Sequence, residues 1–296
     1  MGDRTLEAKL VFDARAELAE GPVWDDRRAR LWWVDIMAGI VHLTDPATGT
    51  DSAIPVGQPI GALGLRERGS PVLAVRDGFA SLREEGGLDL IAEVESDDPT
   101  MRMNDGKVGP DGVFWAGTMG VDERPGVGGL YRLDPHGSVD RLLGGTTISN
   151  GLDWSADGRL FYYIDTPTRR VDRFDVGTDG RRLSGRRVAV DLGGNAAGMP
   201  DGMTVDADGY LWVCLWDGWA VERYSPDGRL DRRIEIPAAQ VTSCAFGGPN
   251  LDELYITTAQ EGFPAGGRAN QPHAGSIFRV RPGVRGRPSH LFAGDA

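Results

Sequence analysis

Four segments of the chain repeat one pattern, and that repetition limits the possible fold more than any other feature. Each begins with an oxygen-bearing residue, passes a small residue and an apolar stretch, turns, and ends in an aromatic-rich strand. They read EGPVWDDRRARLWWVD from Glu20, NDGKVGPDGVFWAGTM from Asn104, NGLDWSADGRLFYYID from Asn150 and DGMTVDADGYLWVCLW from Asp201. In the last three a turn glycine (Gly112, Gly158, Gly209) stands at one fixed interval from the first residue, and the first copy has Arg28 there. Two weaker copies, PIGALGLRERGSPVLAV and TSCAFGGPNLDELYITT, put Gly61 and Thr242 at the leading position. The six leading residues then follow one another at 41 to 51 residues, the length of one four-stranded propeller blade.

The second half of each unit agrees. GIVHLTDPATG, GGLYRLDPHG, RRVDRFDVGTDG, WAVERYSPDG and GSIFRVRPG each read as an alternating strand followed by a turn. No segment of helix length carries helical periodicity. Glycine, at 43 of 296 residues, is roughly twice ordinary usage and has no triplet period, as many tight turns between short strands require. The expectation is an all-β chain, one domain over residues 1–296: a six-bladed β-propeller with four-stranded antiparallel blades around a central metal-containing channel. A ring closes only if no edge strand is left open. LEAKLVFDA, which precedes the first unit, is therefore expected to pair into the last blade beside SIFRVRPGV or HLFAG. DADG at Asp206 and SADG at Ser155 lack the glycine and glutamate spacing of an EF-hand and read as hairpin turns.

Charge and composition narrow the partners. A net charge of −12 repels phosphate backbones and anionic membrane surfaces, so neither nucleic acid nor membrane is expected as a partner. No run of 18 apolar residues occurs and the N-terminal stretch has no apolar run of signal-peptide length. A cytoplasmic, monomeric protein is expected. Cys214 and Cys244 have no zinc spacing and read as a reduced, buried pair. There is no GxSxG elbow and no HExxH, and the four histidines stand at no ligand spacing. Most of the eight tryptophans are assigned to the core, with Trp216 and Trp219 as candidates for the channel mouth. The polar loop from Glu261 to Gly275 is a candidate rim loop or a plain connection.

In a propeller the innermost strand of every blade lines the central channel, so equivalent positions converge on the axis. That geometry gathers Glu20, Asn104, Asn150 and Asp201 from four blades into one ring. Singly, each reads equally well as a turn residue. Together, two carboxylates and two amide carbonyls at one repeat phase form a hard oxygen cage suited to Ca²⁺, Mg²⁺ or Mn²⁺. A divalent ion so held can act on an ester carbonyl, and Asp201 can serve as acid and base.

EGPVW, RMNDGKVGPDGVFWAGTM, SNGLDWS and PDGMTVDADGYLWV resemble the signature segments of the regucalcin and gluconolactonase (senescence marker protein) family of metal-dependent sugar lactonases, in order, from about residue 17 to beyond 280. The resemblance implies a six-bladed propeller with metal ligands at Glu20, Asn150 and Asp201 and substrate contacts at Arg102 and Asn104. It makes Asp201 the acid/base residue as well as a ligand. The family position after AGTM that often carries a substrate-binding Glu falls on Asp122, where this chain has the shorter acid. The implied substrate is a small sugar lactone, an aldonolactone such as glucono-, xylono- or arabinono-lactone. The implied cofactor is one divalent ion, Ca²⁺ first, with Mg²⁺, Mn²⁺, Zn²⁺ and Fe²⁺ as others that such a cage accepts. A calcium-dependent phosphotriesterase and a non-catalytic, metal-stabilised binding propeller are the competing readings.

Overall fold

The structure, a computed structural model, describes residues 6–83, 86–194, 197–263 and 270–294. Six four-stranded antiparallel sheets account for every strand among them. The first five blades run outward in chain order from their innermost strands: Ala19–Asp25, Ile60–Gly64, Met101–Val108, Ser149–Trp154 and Met199–Val205. In the sixth, Val241–Gly247 is innermost, followed by Glu253–Thr258 and Ile277–Val280. Each innermost strand packs beside the next, and the sixth returns to the first, so the chain forms a closed six-bladed β-propeller. The outer strand of the sixth blade is Lys9–Phe12, which pairs with Ile277–Val280 as the N-terminal segment was expected to do.

Alternation explains why each blade buries both faces. Its inner strands carry apolar residues on either side, and aromatic rings interlock between neighbouring sheets. Trp24 stacks on Tyr255 between the first and sixth blades at 5.4 Å, and Trp115 meets Trp154 edge-on between the third and fourth at 5.2 Å. Trp212 meets Phe246 between the fifth and sixth at 5.8 Å. The outermost strands, such as Leu183–Asp191, are polar and largely exposed.

The turn strings behave as their composition demands. Gly112, Gly158 and Gly209 all have left-handed backbone, with φ of 72°, 69° and 82°. The first hairpin differs: its left-handed residue is Ala29 (φ 50°), not Arg28, because one residue fewer joins Asp25 to Arg30. In DADG, the Asp206 carboxylate accepts from the backbone of Asp208 and Tyr210, from Trp212 Nε1 and from Arg223. It is a structural turn. Cys214 and Cys244 are buried free thiols. No helix among the described residues is long and apolar enough to cross a membrane.

One device recurs in all six blades. The pairing of every innermost strand with the second strand slips just after the leading position: Glu20/Val23, Ile60/Ala62, Met103/Gly106, Asn150/Leu152, Pro200/Met203 and Val241/Cys244. Such bulges bend a strand and re-aim its side chains. In four of the blades the residue at the slip, Glu20, Asn104, Asn150 or Asp201, lines the central channel.

Candidate active site in the central channel

The bulges open one end of the channel into a cavity of about 340 Å³. Glu20, Arg102, Asn104, Asn150 and Asp201 all line it, with Trp216, Glu123, Asp217 and Glu261 around them. Five sequence-predicted site residues from four blades are thus brought together. Each of the five is 4–7% exposed.

Local structure fixes how each side chain is presented. Asn150 donates from Nδ2 to Thr166 Oγ1 at 3.0 Å, and the Thr166 hydroxyl donates to the Pro200 carbonyl at 2.8 Å. The amide is thereby oriented, and Asn150 Oδ1 is buried with no hydrogen-bond partner among the described residues. Asn104 is tied differently. Its Oδ1 accepts from Arg102 Nη1 at 2.7 Å, and its Nδ2 donates to the Ser149 carbonyl at 2.9 Å. Of the two amides in the expected oxygen ring, that of Asn150 has an oxygen with no partner, whereas the Asn104 oxygen already accepts from Arg102. Arg102 also bonds the Met103 carbonyl through Nη1 at 3.0 Å, and Nε and Nη2 have no partner among the described residues.

Close packing of the inner strands sets the spacing. A Cβ on Gly151 would lie 2.6 Å from the Asp201 carbonyl oxygen, so only glycine lets the fourth and fifth blades approach this closely. The loops that lead into the strands are pinned from behind. Asp35 accepts from the backbone N–H of Glu17 and Leu18, and Asp165 does the same for Thr147 and Ile148. These two residues end the WWVD and YYID strings of the first and fourth blades, a repeat signal visible in the sequence.

The electrostatics are those of anions buried without enough counter-charge. Burial pushes the Glu20 carboxyl well above its ordinary range, and Asp201 and Asp105 push it further, against the Gly21 N–H and Arg102. Asp201 is raised likewise, by burial first and then by Asp105, against the neighbouring Asn150 amide. Asp105, just beneath in the third blade, is raised to about 6, chiefly by burial, with Lys107 opposing. Two such carboxyls beside an amide oxygen that lacks a donor form the donor set that a hard divalent cation satisfies. Among the described residues no three His, Cys, Asp or Glu side chains stand close enough to hold a metal by themselves. A cation here would need the Asn150 oxygen as its third protein ligand.

Two candidates lie away from the cavity. Asp122 does not line the cavity: its side chain is 56% exposed and bonds Arg124 at 2.9 Å. The next residue, Glu123, exposed and with left-handed backbone (φ 56°), lines the cavity mouth instead. Trp216 lines the cavity, whereas Trp219 is 41% exposed and does not. Of the polar loop after Glu261, residues 264–269 lie outside the described residues.

A smaller cavity of about 70 Å³ occupies the opposite end of the channel. There Asp153 binds Lys107 and Arg287 at 3.2 Å each, a compensated cluster. Residues 285–293 close that end.

Known proteins match this one along nearly its whole length. The family described as SMP-30/Gluconolactonase/LRE-like region matches residues 18–260. Regucalcin of Xenopus laevis is 37% identical, covering 98% of this chain and 99% of that protein. A Bacillus subtilis (strain 168) protein provisionally named sugar lactone lactonase YvrE is 36% identical, over 98% of this chain and 100% of its own. The structure of a calcium-binding protein, regucalcin from Agrobacterium tumefaciens, superposes with a TM-score of 0.92 at 31% identity, covering 97% of this chain and 98% of that one. On these matches the chain belongs to the SMP-30/gluconolactonase/LRE-like family.

Proposed function

We propose that the protein is a metal-dependent lactonase that opens a small aldonolactone, such as a glucono-, xylono- or arabinono-lactone, to the aldonic acid. The observation that carries this reading is the meeting, in one cavity, of an oxygen donor set (Glu20, Asn150, Asp201) and a hydrogen-bonding pair held for a polar ligand (Arg102, Asn104). Family membership and the lactonase naming of the Bacillus relative support it. Glu20, Asn150 and Asp201 would hold one divalent ion, Ca²⁺ in first place given the calcium-binding structural relative, which when bound supplies a Lewis acid for the lactone carbonyl.

The remaining chemistry belongs to side chains of this chain. Arg102 offers Nε and Nη2 to ring or hydroxyl oxygens, and Asn104 fixes the guanidinium plane that does so. Asp201 accepts a proton from the attacking water and returns it to the ring oxygen as the acyl C–O bond breaks. Trp216 gives the sugar an apolar face to lie against. Glu123, rather than Asp122, supplies the carboxylate near the sugar hydroxyls.

The test is hydrolysis of an aldonolactone panel by metal-stripped protein, with and without Ca²⁺, Mg²⁺, Mn²⁺ or Zn²⁺, each corrected for spontaneous opening. Metal-restored turnover of one or a few lactones is expected. No turnover with any ion would overturn the reading and favour a phosphotriesterase or a binding scaffold.

A further inference from the structure

The wall of the large cavity is more acidic than metal binding requires. Beyond Glu20 and Asp201 it includes Glu123, Asp217 and Glu261, and Arg102 is the only cation in its lining among the described residues. A divalent ion offsets Glu20 and Asp201 and leaves three carboxylates facing one guanidinium. These three come from the loops on the open side of the ring: Glu123 after Phe114–Gly120, Asp217 after Leu211–Trp216 and Glu261 after Glu253–Thr258. They therefore stand between solvent and the buried ligands.

Their placement is built in. Glu123 and Asp217 both have left-handed backbone, φ 56° in each case, a conformation few non-glycine residues adopt. The backbone at Glu261 is held by Gln240 Nε2, which donates to the Glu261 carbonyl at 3.0 Å, and by Gln260, whose N–H bonds the Glu17 carbonyl at 3.0 Å. Of the carboxylates acting on Arg102, Glu261 is the strongest, ahead of Glu20, Glu123 and Asp201. Beneath them the partnerless Asn150 Oδ1 and the free edge of Arg102 mark where a ligand sits.

We propose that Glu261 and Asp217, with Glu123, make the cavity mouth a charge filter that admits neutral polyhydroxy lactones and rejects lactones bearing a phosphate or carboxylate substituent. The inference rests on the lactonase reading and adds residues that decide specificity without touching the reacting atoms. The same field acts on the product. Ring opening adds water across the acyl C–O bond and releases a proton, so a neutral substrate becomes a monoanion that the mouth disfavours.

The experiment compares a hexono-1,5-lactone with its 6-phosphate, using metal-loaded wild type, Glu261→Gln, Asp217→Asn and the double variant. Asn keeps the left-handed backbone at 217 accessible. The readout is the ratio of kcat/KM for the two substrates at low and high ionic strength. Wild type is expected to prefer the neutral lactone, with each substitution narrowing the ratio roughly 3- to 10-fold at low salt and less at high salt. Product inhibition by the aldonate is expected to tighten in the same variants. Equal use of both lactones by wild type, or an unmoved ratio in the double variant, would overturn the filter. Calorimetric binding of a hexitol and its 6-phosphate to the same four proteins reads the filter without turnover. A narrowed binding gap in a protein that hydrolyses no lactone would sink the lactonase reading and keep the filter. An unchanged gap in an active enzyme would do the reverse.

Discussion

At the residue scale, the site depends on one amide held the right way round. Thr166 accepts from Asn150 Nδ2 and so fixes the amide with Oδ1 buried and without a partner. Thr166→Val removes that acceptor while keeping the shape, and groups that orient ligands in this way typically matter about 10- to 100-fold in metal affinity. We expect a loss of that order in divalent-ion affinity, read by calorimetry, with the unfolding temperature of the metal-free protein little changed. Unaltered affinity would mean that Asn150 needs no such support. The buried acids make a second, pH-dependent prediction. Glu20 and Asp201 have folded pKa values above their ordinary 4.5 and 3.8, so the metal-free folded protein holds protons that the unfolded chain has already released. Its stability must fall as pH rises from the ordinary carboxyl range through the raised folded values. Asp201→Asn removes one acid and relieves the other. Thermal melts of metal-free protein should therefore show a shallower decline with pH in the variant, and parallel curves would contradict the assignment. Some of this was legible in the sequence. Glu20, Asn104, Asn150 and Asp201 could be aligned because they share a repeat phase. The different duties of Asn104 and Asn150 could not be read, because both are Asn and only their partners distinguish them.

At the element scale, the recurring bulge turns an ordinary hairpin into part of a binding site. The sequence marks it only through a small residue after the leading one, as in Glu20-Gly21, Asn150-Gly151 and Asp201-Gly202. Such glycines read as turn residues until the next blade is seen pressing on them. Gly151→Ala places a methyl group against the Asp201 backbone, a contact that rigid main chain cannot yield without moving the ligand. Overpacking of this kind costs about 1–3 kcal/mol. We expect a lower unfolding temperature together with weakened metal binding; a fully stable variant with normal affinity would show that the blades have slack. The placing of Glu123 belongs to this scale too. AGTM followed by GVDE offers two adjacent acids, and only in the folded turn after Gly120 is Glu123, not Asp122, found at the cavity mouth.

At the scale of the whole molecule, two chain ends close the ring. The N-terminal strand Lys9–Phe12 completes the sixth blade. The C-terminal segment runs across the far mouth of the channel and bonds blade after blade. The Leu251 carbonyl accepts from Gly286, and the Arg285 carbonyl accepts from Ala207. Arg287 reaches Asp153 and the Trp154 carbonyl, Ser289 donates to the Trp24 carbonyl, Phe292 bonds Leu65 and Ala293 bonds Gly112. All six blades are touched by a strap of nine residues, 285–293. Ending the chain after Pro282 removes four backbone hydrogen bonds at about 1 kcal/mol each, the buried Phe292 ring, and one of the two cations that hold Asp153 below its ordinary pKa against burial. We expect the truncated protein to melt well below the full chain and to lose less stability on acidification, since Asp153 then gains less from ionising in the fold. A truncated protein with an unchanged melt would make the strap dispensable.

The sequence by itself determined the strand count, the blade length, the closure by the N-terminal strand and the repeat phase of the oxygen-bearing residues that line the cavity. These follow from local physics: turn residues and alternation act within a few positions, and repetition at a fixed period shows which positions are equivalent. Tertiary structure alone decided which amide offers its oxygen, which of two neighbouring acids faces the cavity, that Asp105 lies beneath the ligands, and that the C-terminus seals the far end. Each of those depends on which partner a side chain meets in the fold, two residues away for Asn104 and Arg102 or 16 for Asn150 and Thr166, and that is not written in local pattern.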